Sequence, residues 1–344
     1  MSATFGNKIK LTVFGESHGK AIGGVLDGMP AGIAVDTDYI ALQMARRAPG
    51  QSLGTPRKEA DNVEILSGVT AGYTNGAPLA FIIANTNTKS KDYSYLSVTP
   101  RPSHSDYPAI VKYNGFNDMA GGGHFSGRLT AVLVAAGSIV RRVLLEKGIS
   151  IAAHLVKVGE ATAPKYDPIR PEMTGELTDE LCLQIEKARE RGDSVGGEIE
   201  CAITGVPVGV GEPFFDSVES RLAHILFSVP GVKGVSFGNG DNAPALYGSG
   251  FNDALTVQDG NVRTLTNNSG GINGGISNGM PIIFTAKMRP TPSIFIPQQT
   301  VDLKNKCNTT LELKGRHDPC IALRAVPVME ACAALVIYDL MEEK

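Results

Sequence analysis

Residues 119–147 read Met119-Ala-Gly-Gly-Gly-His-Phe-Ser-Gly-Arg128 and continue as Leu129-Thr-Ala-Val-Leu-Val-Ala-Ala-Gly-Ser-Ile-Val-Arg-Arg-Val-Leu-Leu-Glu-Lys147. In the second part, apolar residues recur at spacings of three and four. This pattern predicts a long helix that is packed over much of its surface. Basic residues near its end, followed by Gly148, are typical of a helix C-terminus.

The glycine-rich start of this stretch favours a ligand site. Such an entry into a helix exposes backbone N–H groups, which can bind an anion. His124, Ser126 and Arg128 add a titratable group, a hydroxyl and a guanidinium at the same place. A mobile loop ahead of a core helix explains the stretch equally well, so the rest of the chain must decide between the two.

Composition restricts the class of protein. The chain has 344 residues, of which 42% are hydrophobic and 19% charged, as in a globular protein with a large core. A net charge of −3 gives no general attraction to nucleic acid or to an anionic membrane. Five scattered cysteines favour reduced thiols over disulfides or a zinc site, and we find no signal-peptide or membrane-spanning run. We therefore expect a cytoplasmic protein.

Local patterns predict alternating strands and helices. The predicted strands cover residues 9–14, 22–26, 63–66, 79–84, 151–158, 198–203, 232–237 and 281–288. Besides the long central helix, the predicted helices are one through residue 45 capped by Asp36 or Thr37, and those over 178–191, 213–227 and 325–341. Residues 85–116 are polar and lack periodicity, and residues 238–279 form a loop region rich in Gly and Asn.

A short internal similarity suggests two related halves. Residues 24–33 resemble residues 201–210, and each is followed by a predicted helix and then a Pro-Gly pair. Two strand–turn–helix halves around one core explain this similarity, although so short a match also arises by chance. We expect one domain over residues 1–344, with halves of roughly 1–150 and 151–344.

Histidines and arginines gather in the loops. His18, His104 and His124 each lie near a serine, and histidine titrates near neutrality, so they are candidates for proton transfer. Several arginines converging on one place would hold a small polyanion, whereas each alone is also explained by solvent exposure. The chain contains no phosphate-binding P-loop, no dinucleotide fingerprint after the first strand and no Gly-x-Ser-x-Gly motif. These absences disfavour nucleotide hydrolysis, a Rossmann site and acyl hydrolysis.

Taken together, the motifs resemble the chorismate synthase family, in the family's order over nearly the whole chain. The matching blocks are Thr12-Val-Phe-Gly-Glu-Ser-His-Gly19, Arg46-Arg-Ala-Pro-Gly50, Arg101-Pro-Ser-His-Ser-Asp-Tyr107, Gly121-Gly-Gly-His-Phe-Ser-Gly-Arg128, Gly274-Gly-Ile-Ser-Asn-Gly279, Arg289-Pro-Thr-Pro-Ser293 and Gly315-Arg-His-Asp-Pro-Cys-Ile-Ala-Leu-Arg-Ala-Val-Pro327.

The resemblance implies a lyase of aromatic amino acid biosynthesis, acting at the last step of the shikimate pathway. Its substrate, 5-enolpyruvylshikimate 3-phosphate, loses phosphate and the C6 hydrogen to give chorismate, and reduced FMN is required without net oxidation. The C6 hydrogen is not adjacent to a carbonyl, so the cofactor carries the difficult step. The implied fold is an α+β sandwich, β-α-β, with helices between antiparallel sheets, assembled as a homotetramer.

The resemblance also implies residue roles. The implied catalytic residues are His18, His104, Asp318, Ser17 and Ser126. Within this set, His18 protonates the departing phosphate, His104 lies near flavin N1 and Asp318 takes the hydrogen. The implied substrate-binding residues are Arg46, Arg47, Arg101, Arg128 and Arg324. The implied FMN contacts are His124, Phe125, Ser126, Gly250, Phe251, Gly274, Arg289, Pro290, Thr291, Pro292, Ser293 and Arg316.

Two departures from the family pattern bear on the cofactors. His124 and Phe125 stand where the family usually has Arg and Ser, and Leu129 replaces a Glu. Leu53 stands where many relatives carry an Arg associated with NADPH, so direct reduction of the flavin by NADPH, with Arg47 as a candidate contact, is open. A flavin-dependent oxidoreductase and a non-catalytic binder of anionic metabolites are the alternative functions.

Overall fold

The computed structural model describes residues 3–48, 53, 61–86, 95–173, 175, 177–313 and 317–342. The strands are β1 (Thr4–Phe5), β2 (Lys10–Gly15), β3 (Ala21–Asp27), β4 (Val63–Ile65), β5 (Val69–Thr70), β6 (Tyr73–Thr74), β7 (Leu79–Ala84), β8 (Ser150–Val158), β9 (Ala161–Thr162), β10 (Gly197–Thr204), β11 (Val232–Phe237), β12 (Leu255–Gln258), β13 (Asn261–Thr264), β14 (Ile272–Asn273), β15 (Ile276–Ser277), β16 (Ile282–Met288), β17 (Gln298–Asp302) and β18 (Cys307–Leu311). The helices are α1 (Thr37–Arg47), α2 (Asp106–Lys112), α3 (Thr130–Glu146), α4 (Asp179–Glu190), α5 (Val218–Ser228), α6 (Gly248–Phe251) and α7 (Ala322–Glu342).

Two antiparallel sheets enclose a layer of helices. The first sheet has the order β1-β2-β3-β7-β4, and the second has the order β11-β16-β10-β8-β9. Helices α1, α3, α5 and α7 pack between them, and one continuous apolar core includes residues from both sheets and from these helices. The predicted α+β sandwich is therefore confirmed. Within the described ranges, no helix is both long enough and apolar enough to span a bilayer.

The two sheets repeat one arrangement. Strands β2-β3-β7-β4 of the first correspond in order to β8-β10-β16-β11 of the second. The turns after β3 and β10 are closed by the same bond: Thr74 Oγ1 donates to the Pro30 carbonyl at 2.6 Å, and Ser277 Oγ donates to the Pro207 carbonyl at 2.6 Å. This correspondence supports the expectation of two similar halves within one domain.

Helices α3 and α7 approach each other closely at the centre of the sandwich. A Cβ added to Gly137 of α3 would lie 2.6 Å from the Cα and 2.7 Å from the carbonyl oxygen of Ala331 in α7. Only a residue without a side chain fits there, and the small Ala331 completes the crossing. The crossing brings the N-terminal ends of both helices to the same side of the molecule, where Ser126 and Ala325 line one cleft.

Most predicted elements match the structure, and three predictions were wrong. Helix α2 lies inside residues 85–116, where none was expected. Helix α5 begins at Val218 with Ser217 as its N-cap, rather than at Pro213, because Phe214 has φ +65° in an intervening 3₁₀ turn. The region 238–279 contains α6 and two hairpins as well as loops.

The α3–α7 crossing generates a stability prediction. Alanine is favoured over glycine inside a helix by about 1 kcal/mol, but overpacking against backbone costs about 1–3 kcal/mol. We expect Gly137→Ala to lower the free energy of unfolding by about 1–2 kcal/mol, because the backbone of α7 cannot move without disturbing the core. Urea unfolding measures this. Gly248→Ala, at an open position in α6, is the matched control. An unchanged midpoint for Gly137→Ala would contradict the proposed contact.

Candidate active site

A cleft of about 190 Å³ opens where α3 and α7 begin. The glycine loop 121–127 forms one wall, the segment after β16 forms a second, and the first turns of α7 form a third. The residues lining it are Arg47, His104, Gly121, Phe125, Ser126, Gly127, Thr130, Val229, Pro230, Gly231, Met288, Arg289, Thr291, Pro292, Ser293, Ile321, Arg324, Ala325 and Val328.

The glycine loop brings two predicted histidines together. Residues 121–123 all have positive φ, a conformation that glycine adopts without strain. A Cβ on Gly121 would lie 2.7 Å from His18 Nε2, and one on Gly122 would lie 3.5 Å from His104 Nε2. The loop backbone therefore packs directly against both imidazoles, which come from segments far apart in the sequence.

The two predicted serines flank the same loop. Ser17 is 7% exposed, and its backbone N–H donates to the Gly123 carbonyl at 3.1 Å. Ser126 caps the turn that leads into α3, where its Oγ accepts the Arg128 backbone N–H at 3.3 Å. Ser126 also lines the cleft. Both serines thus hold the loop in place, with Ser126 directly on the cleft wall.

His104 belongs to a buried charged cluster. Its Nδ1 lies 2.6 Å from Asp106 Oδ1, and Arg101 donates to the same carboxylate from Nε and Nη2, each at 2.8 Å. Burial lowers the pKa of His104, and Arg101 adds to this effect while Asp106 opposes it. Burial also opposes ionisation of Asp106, but the bonds from Arg101 and His104 outweigh it and hold its pKa well below the usual range.

One carboxylate holds two of the predicted arginines. Asp61 Oδ2 accepts from Arg47 Nη2 at 2.8 Å, and Asp61 Oδ1 pairs with Arg128 Nη1. Arg128 Nε also donates to Asn85 Oδ1 at 3.2 Å. The Arg47 side chain is 1% exposed, and burial, together with the nearby Arg324, lowers its pKa to about 10. Because two guanidiniums share one carboxylate, this side of the cleft keeps a positive charge for an anionic ligand.

Next to Arg324, which lines the opposite wall, lies a carboxylate with a raised pKa. Arg324 donates to Asp318 Oδ2 at 3.2 Å and to the Arg47 carbonyl at 3.1 Å. Burial raises the pKa of Asp318, against the lowering effect of Arg324. None of the described residues hydrogen-bonds Asp318 Oδ1, although this oxygen is buried. A buried carboxylate oxygen in this state is suited to accepting a proton.

The segment after β16 completes the cleft. Arg289, Thr291, Pro292 and Ser293 line it, whereas Pro290 does not. Arg289 is fixed by a bond from its backbone N–H to Gly231 at 2.9 Å, and burial lowers the pKa of its guanidinium. The structure therefore brings most of this predicted motif to the same place as the histidines.

Several predicted site residues lie apart from the cleft. Arg46 pairs with the buried Glu330, which also accepts from Arg141 at 2.7 Å. His124 is exposed and stacks on Phe125, with ring centroids 4.2 Å apart. The predicted FMN contacts among the described residues that line no part of the cleft are His124, Pro290, Gly250, Phe251 and Gly274. The predicted catalytic and substrate-binding residues that do not line it directly are Ser17, His18, Arg46, Arg101, Arg128 and Asp318. Arg316 lies outside the described residues.

Sequence analysis did not identify the carboxylates that hold these arginines. Asp106 was in view, since it lies in the quoted block 101–107, two residues after His104. Asp61 carries no local signal, because its partners Arg47 and Arg128 are 14 and 67 residues away. The one general signal for Asp61 is that buried arginines need anionic partners.

Comparison with known proteins identifies the family. The family profile described as chorismate synthase matches residues 9–341. The chain is 43% identical to the chorismate synthase of Dehalococcoides mccartyi, covering 99% of this chain and 96% of that protein, and 43% identical to that of Thermococcus kodakarensis, covering 97% and 96%. A crystal structure of a chorismate synthase superposes with a TM-score of 0.76 at 27% identity, covering 98% of this chain and 93% of the other. The chain belongs to the chorismate synthase family and is a lyase.

Proposed function

We propose that this enzyme eliminates phosphate and the C6 hydrogen from 5-enolpyruvylshikimate 3-phosphate in an anti-1,4 sense, giving chorismate, with reduced FMN and no net redox change. One observation carries the proposal beyond the family name. Three arginines and His104 line one cleft, His18 packs on Gly121 of its wall, and the buried carboxylate of Asp318, whose pKa is raised, contacts Arg324. Substrate binding, protonation of a leaving group and removal of a proton require these three kinds of group.

The substrate carries a phosphate and two carboxylates, so it needs several cations. Arg47 and Arg324 line the cleft, and Arg128 is joined to Arg47 through Asp61. We assign the anionic groups of the substrate to these three residues. The donors of Arg101 are already directed at Asp106 and Ser293, and Arg46 pairs with Glu330 away from the cleft. Arg101 and Arg46 therefore act chiefly by holding the surrounding structure.

The residues present fit FMN. Phe125, Met288 and Ile321 provide apolar surface for a planar ring, and Arg289 and Ser293 provide donors for a phosphate. When bound, reduced FMN would supply electron density as phosphate departs and recover it as the hydrogen leaves. The protein orients the reactants and excludes water.

The proton-transfer groups adjoin residues of two cleft walls. His18, packed on Gly121, protonates the departing phosphate. Asp318, whose pKa is raised by burial, receives the hydrogen from C6 at its buried Oδ1. His104 holds or releases a proton at Nε2, beside Gly122. Ser17 packs on Gly121 beside His18, and Ser126 lies in the glycine loop on the cleft wall, so we assign both hydroxyls as proton relays.

The source of reducing equivalents is a separate question from the elimination. Arg47 is buried and directed at Asp61, and Leu53 is 9% exposed. Leu53 carries no charge, and Arg47 is already assigned to the substrate, so we assign NADPH no contact at these two positions. Product formation with chemically reduced FMN, compared with NADPH plus oxidised FMN, separates an enzyme that reduces its own flavin from one that receives it reduced.

We assign the enzyme to the cytoplasm and to a homotetramer. All five cysteines are free thiols, as expected for a reducing compartment. The segment 246–265 presents large exposed apolar side chains, which would be covered in an assembly: Leu246, Tyr247, Leu255, Val257, Val262 and Leu265. Gly250 and Phe251 lie on this segment, away from the cleft of their own chain. Sedimentation of the purified protein tests the assembly.

The acid–base assignment predicts large losses of activity. We expect His18→Ala and Asp318→Ala each to slow phosphate release by at least about a hundredfold, because each removes a positioned proton donor or acceptor. The measurement is phosphate and chorismate formation under anaerobic conditions with chemically reduced FMN. His224→Ala and Asp167→Ala, both on the exposed surface, are the matched controls.

The same assay separates the alternative functions. Phosphate release without oxidation of the flavin fits only the lyase. Net flavin oxidation would indicate an oxidoreductase, and the absence of turnover with tight substrate binding would indicate a non-catalytic binder. Turnover near the wild-type rate in both His18→Ala and Asp318→Ala would refute the roles assigned to these residues.

A pH profile tests the role of Asp318. As a base it must be deprotonated, so kcat/KM falls as the pH drops through its pKa. Because burial raises that pKa, we expect the acid limb above the ordinary range for aspartate. Arg324→Gln removes a group that lowers the pKa, so it should move the limb to higher pH. A limb at the same pH in the wild type and in Arg324→Gln would argue against Asp318 as the base.

A further inference from the structure

Asp106 is the one carboxylate in contact with a histidine of the cleft among the residues that the structure describes, and nothing in the reaction above uses it. We propose that Asp106 is a positioning residue that fixes His104 as the tautomer with its proton on Nδ1 and thereby presents Nε2 to the cleft. The tautomer assignment rests on geometry alone, whereas its consequence for catalysis rests on the proposed function.

The distances around His104 Nδ1 decide the tautomer. Three groups lie near this atom: Asp106 Oδ1 at 2.6 Å, Arg101 Nη2 at 3.0 Å and Ser105 Oγ at 3.3 Å. An ionised carboxylate can only accept a hydrogen bond. If Nδ1 carried no proton, its lone pair would face a lone pair of Asp106 Oδ1 at 2.6 Å, which is repulsive. The proton must therefore lie on Nδ1. The 3.0 Å approach of Arg101 Nη2 to Nδ1 does not require a hydrogen bond between them, because this Nη2 donates to Asp106 Oδ1 at 2.8 Å.

Asp106 is itself held rigidly and stays ionised. Its Oδ2 accepts from the backbone N–H of Arg101 at 3.0 Å and from Arg101 Nε at 2.8 Å. Its side chain is 2% exposed, and these bonds keep its pKa well below the usual range. Arg101 in turn donates to Ser293 Oγ at 3.3 Å, which ties the cluster to the segment after β16. The carboxylate therefore has one position and one charge state at neutral pH.

With Nδ1 occupied, Nε2 is the nitrogen at which His104 can act. It lies against Gly122, where a Cβ would stand 3.5 Å away and cover it, and the His104 ring lines the cleft. Three charged groups act on this imidazole: Asp106 and Arg101 on its own segment, and Arg289 from the end of β16. The two arginines and burial favour the neutral ring, and Asp106 favours the cation. Asp106 thus supports a proton that arrives at Nε2.

The alternative role for Asp106 is purely structural, as a partner for Arg101. The two roles differ in what they predict for an amide at position 106. In Asp106→Asn, the amide oxygen should replace Oδ2, because that position receives two donors from Arg101. The NH₂ group would then face His104 Nδ1 and act as a donor, which forces the His104 proton to Nε2. A structural role alone predicts no change in the tautomer of His104.

The first experiment observes the tautomer of His104 in the wild-type protein. Protein labelled with ¹⁵N at histidine is studied by NMR at neutral pH, and His104→Gln identifies the His104 signals. We expect a neutral ring with its proton on Nδ1. A proton on Nε2 in the unaltered protein would overturn the proposal, whether or not the protein catalyses the elimination.

The second experiment applies Asp106→Asn with Asp167→Asn as its control. Asp167 is an exposed aspartate that accepts backbone N–H groups of a surface turn. In Asp106→Asn we expect the His104 proton on Nε2. We also expect phosphate release to be slower by at least about a hundredfold, while KM changes by less than about threefold. A catalytic histidine held in the wrong tautomer has this effect, because the rate of the chemical step falls and substrate binding is kept. Asp106→Glu, which keeps a carboxylate, should restore the Nδ1 proton and part of the activity.

The outcomes separate this proposal from the proposed function. If the His104 proton moves to Nε2 in Asp106→Asn, the tautomer role of Asp106 is supported. If the wild-type protein also releases no phosphate, the lyase reaction is refuted independently of that result. A proton retained on Nδ1, or a full rate despite a moved proton, would refute the positioning role while leaving the lyase reaction intact. Thermal unfolding of each variant checks that the comparison is made between folded proteins.

Discussion

The close crossing of α3 and α7 determines the geometry of the whole site. At Gly137 and Ala331 the two helix backbones approach without intervening side chains, so the helices cannot slide along each other without a clash. The glycine loop precedes α3, Asp318 lies just before α7, and Arg324 lies in the first turn of α7. Since both helices begin at the cleft, their packing in the core sets the distance between the two walls. The positive ends of both helices also favour an anionic ligand there.

Charge inside the cleft is balanced by a small number of buried carboxylates. Asp61 holds Arg47 and Arg128, Asp106 holds Arg101, and Asp318 contacts Arg324. Burying a guanidinium without a partner would be costly, whereas a full set of carboxylates would leave the cleft without net positive charge. An excess of arginines over carboxylates meets both demands, because each cation is held in place and the cleft remains positive. The overall charge of −3 makes this local excess the main source of attraction for the substrate.

Sequence patterns predicted the elements that carry a buried face. Strands β8, β10 and β16 are long apolar runs, and α3 and α7 are almost entirely buried, so their periodicity was clear. The elements that were missed lack such a face. Helix α2 has only seven residues, two of which are buried, and β17 with β18 is a largely polar hairpin. These elements are stabilised by neighbours distant in sequence, as when Thr300 Oγ1 donates to the Pro100 carbonyl at 2.6 Å.

The sequence by itself determined the family, the sandwich architecture and the motifs that meet at the cleft. These properties can be read from residue types and their order along the chain, as in the loops rich in Gly, His and Arg. Only the tertiary structure decided which arginine faces which carboxylate. Arg46 and Arg47 are neighbours in one helix, yet Arg46 pairs with Glu330 and Arg47 with Asp61, since successive helical residues point about 100° apart. The same holds for His104, whose contact with Asp106 depends on the turn into α2. Ion pairs and tautomers depend on distances of a few ångströms between side chains, and folding alone sets those distances.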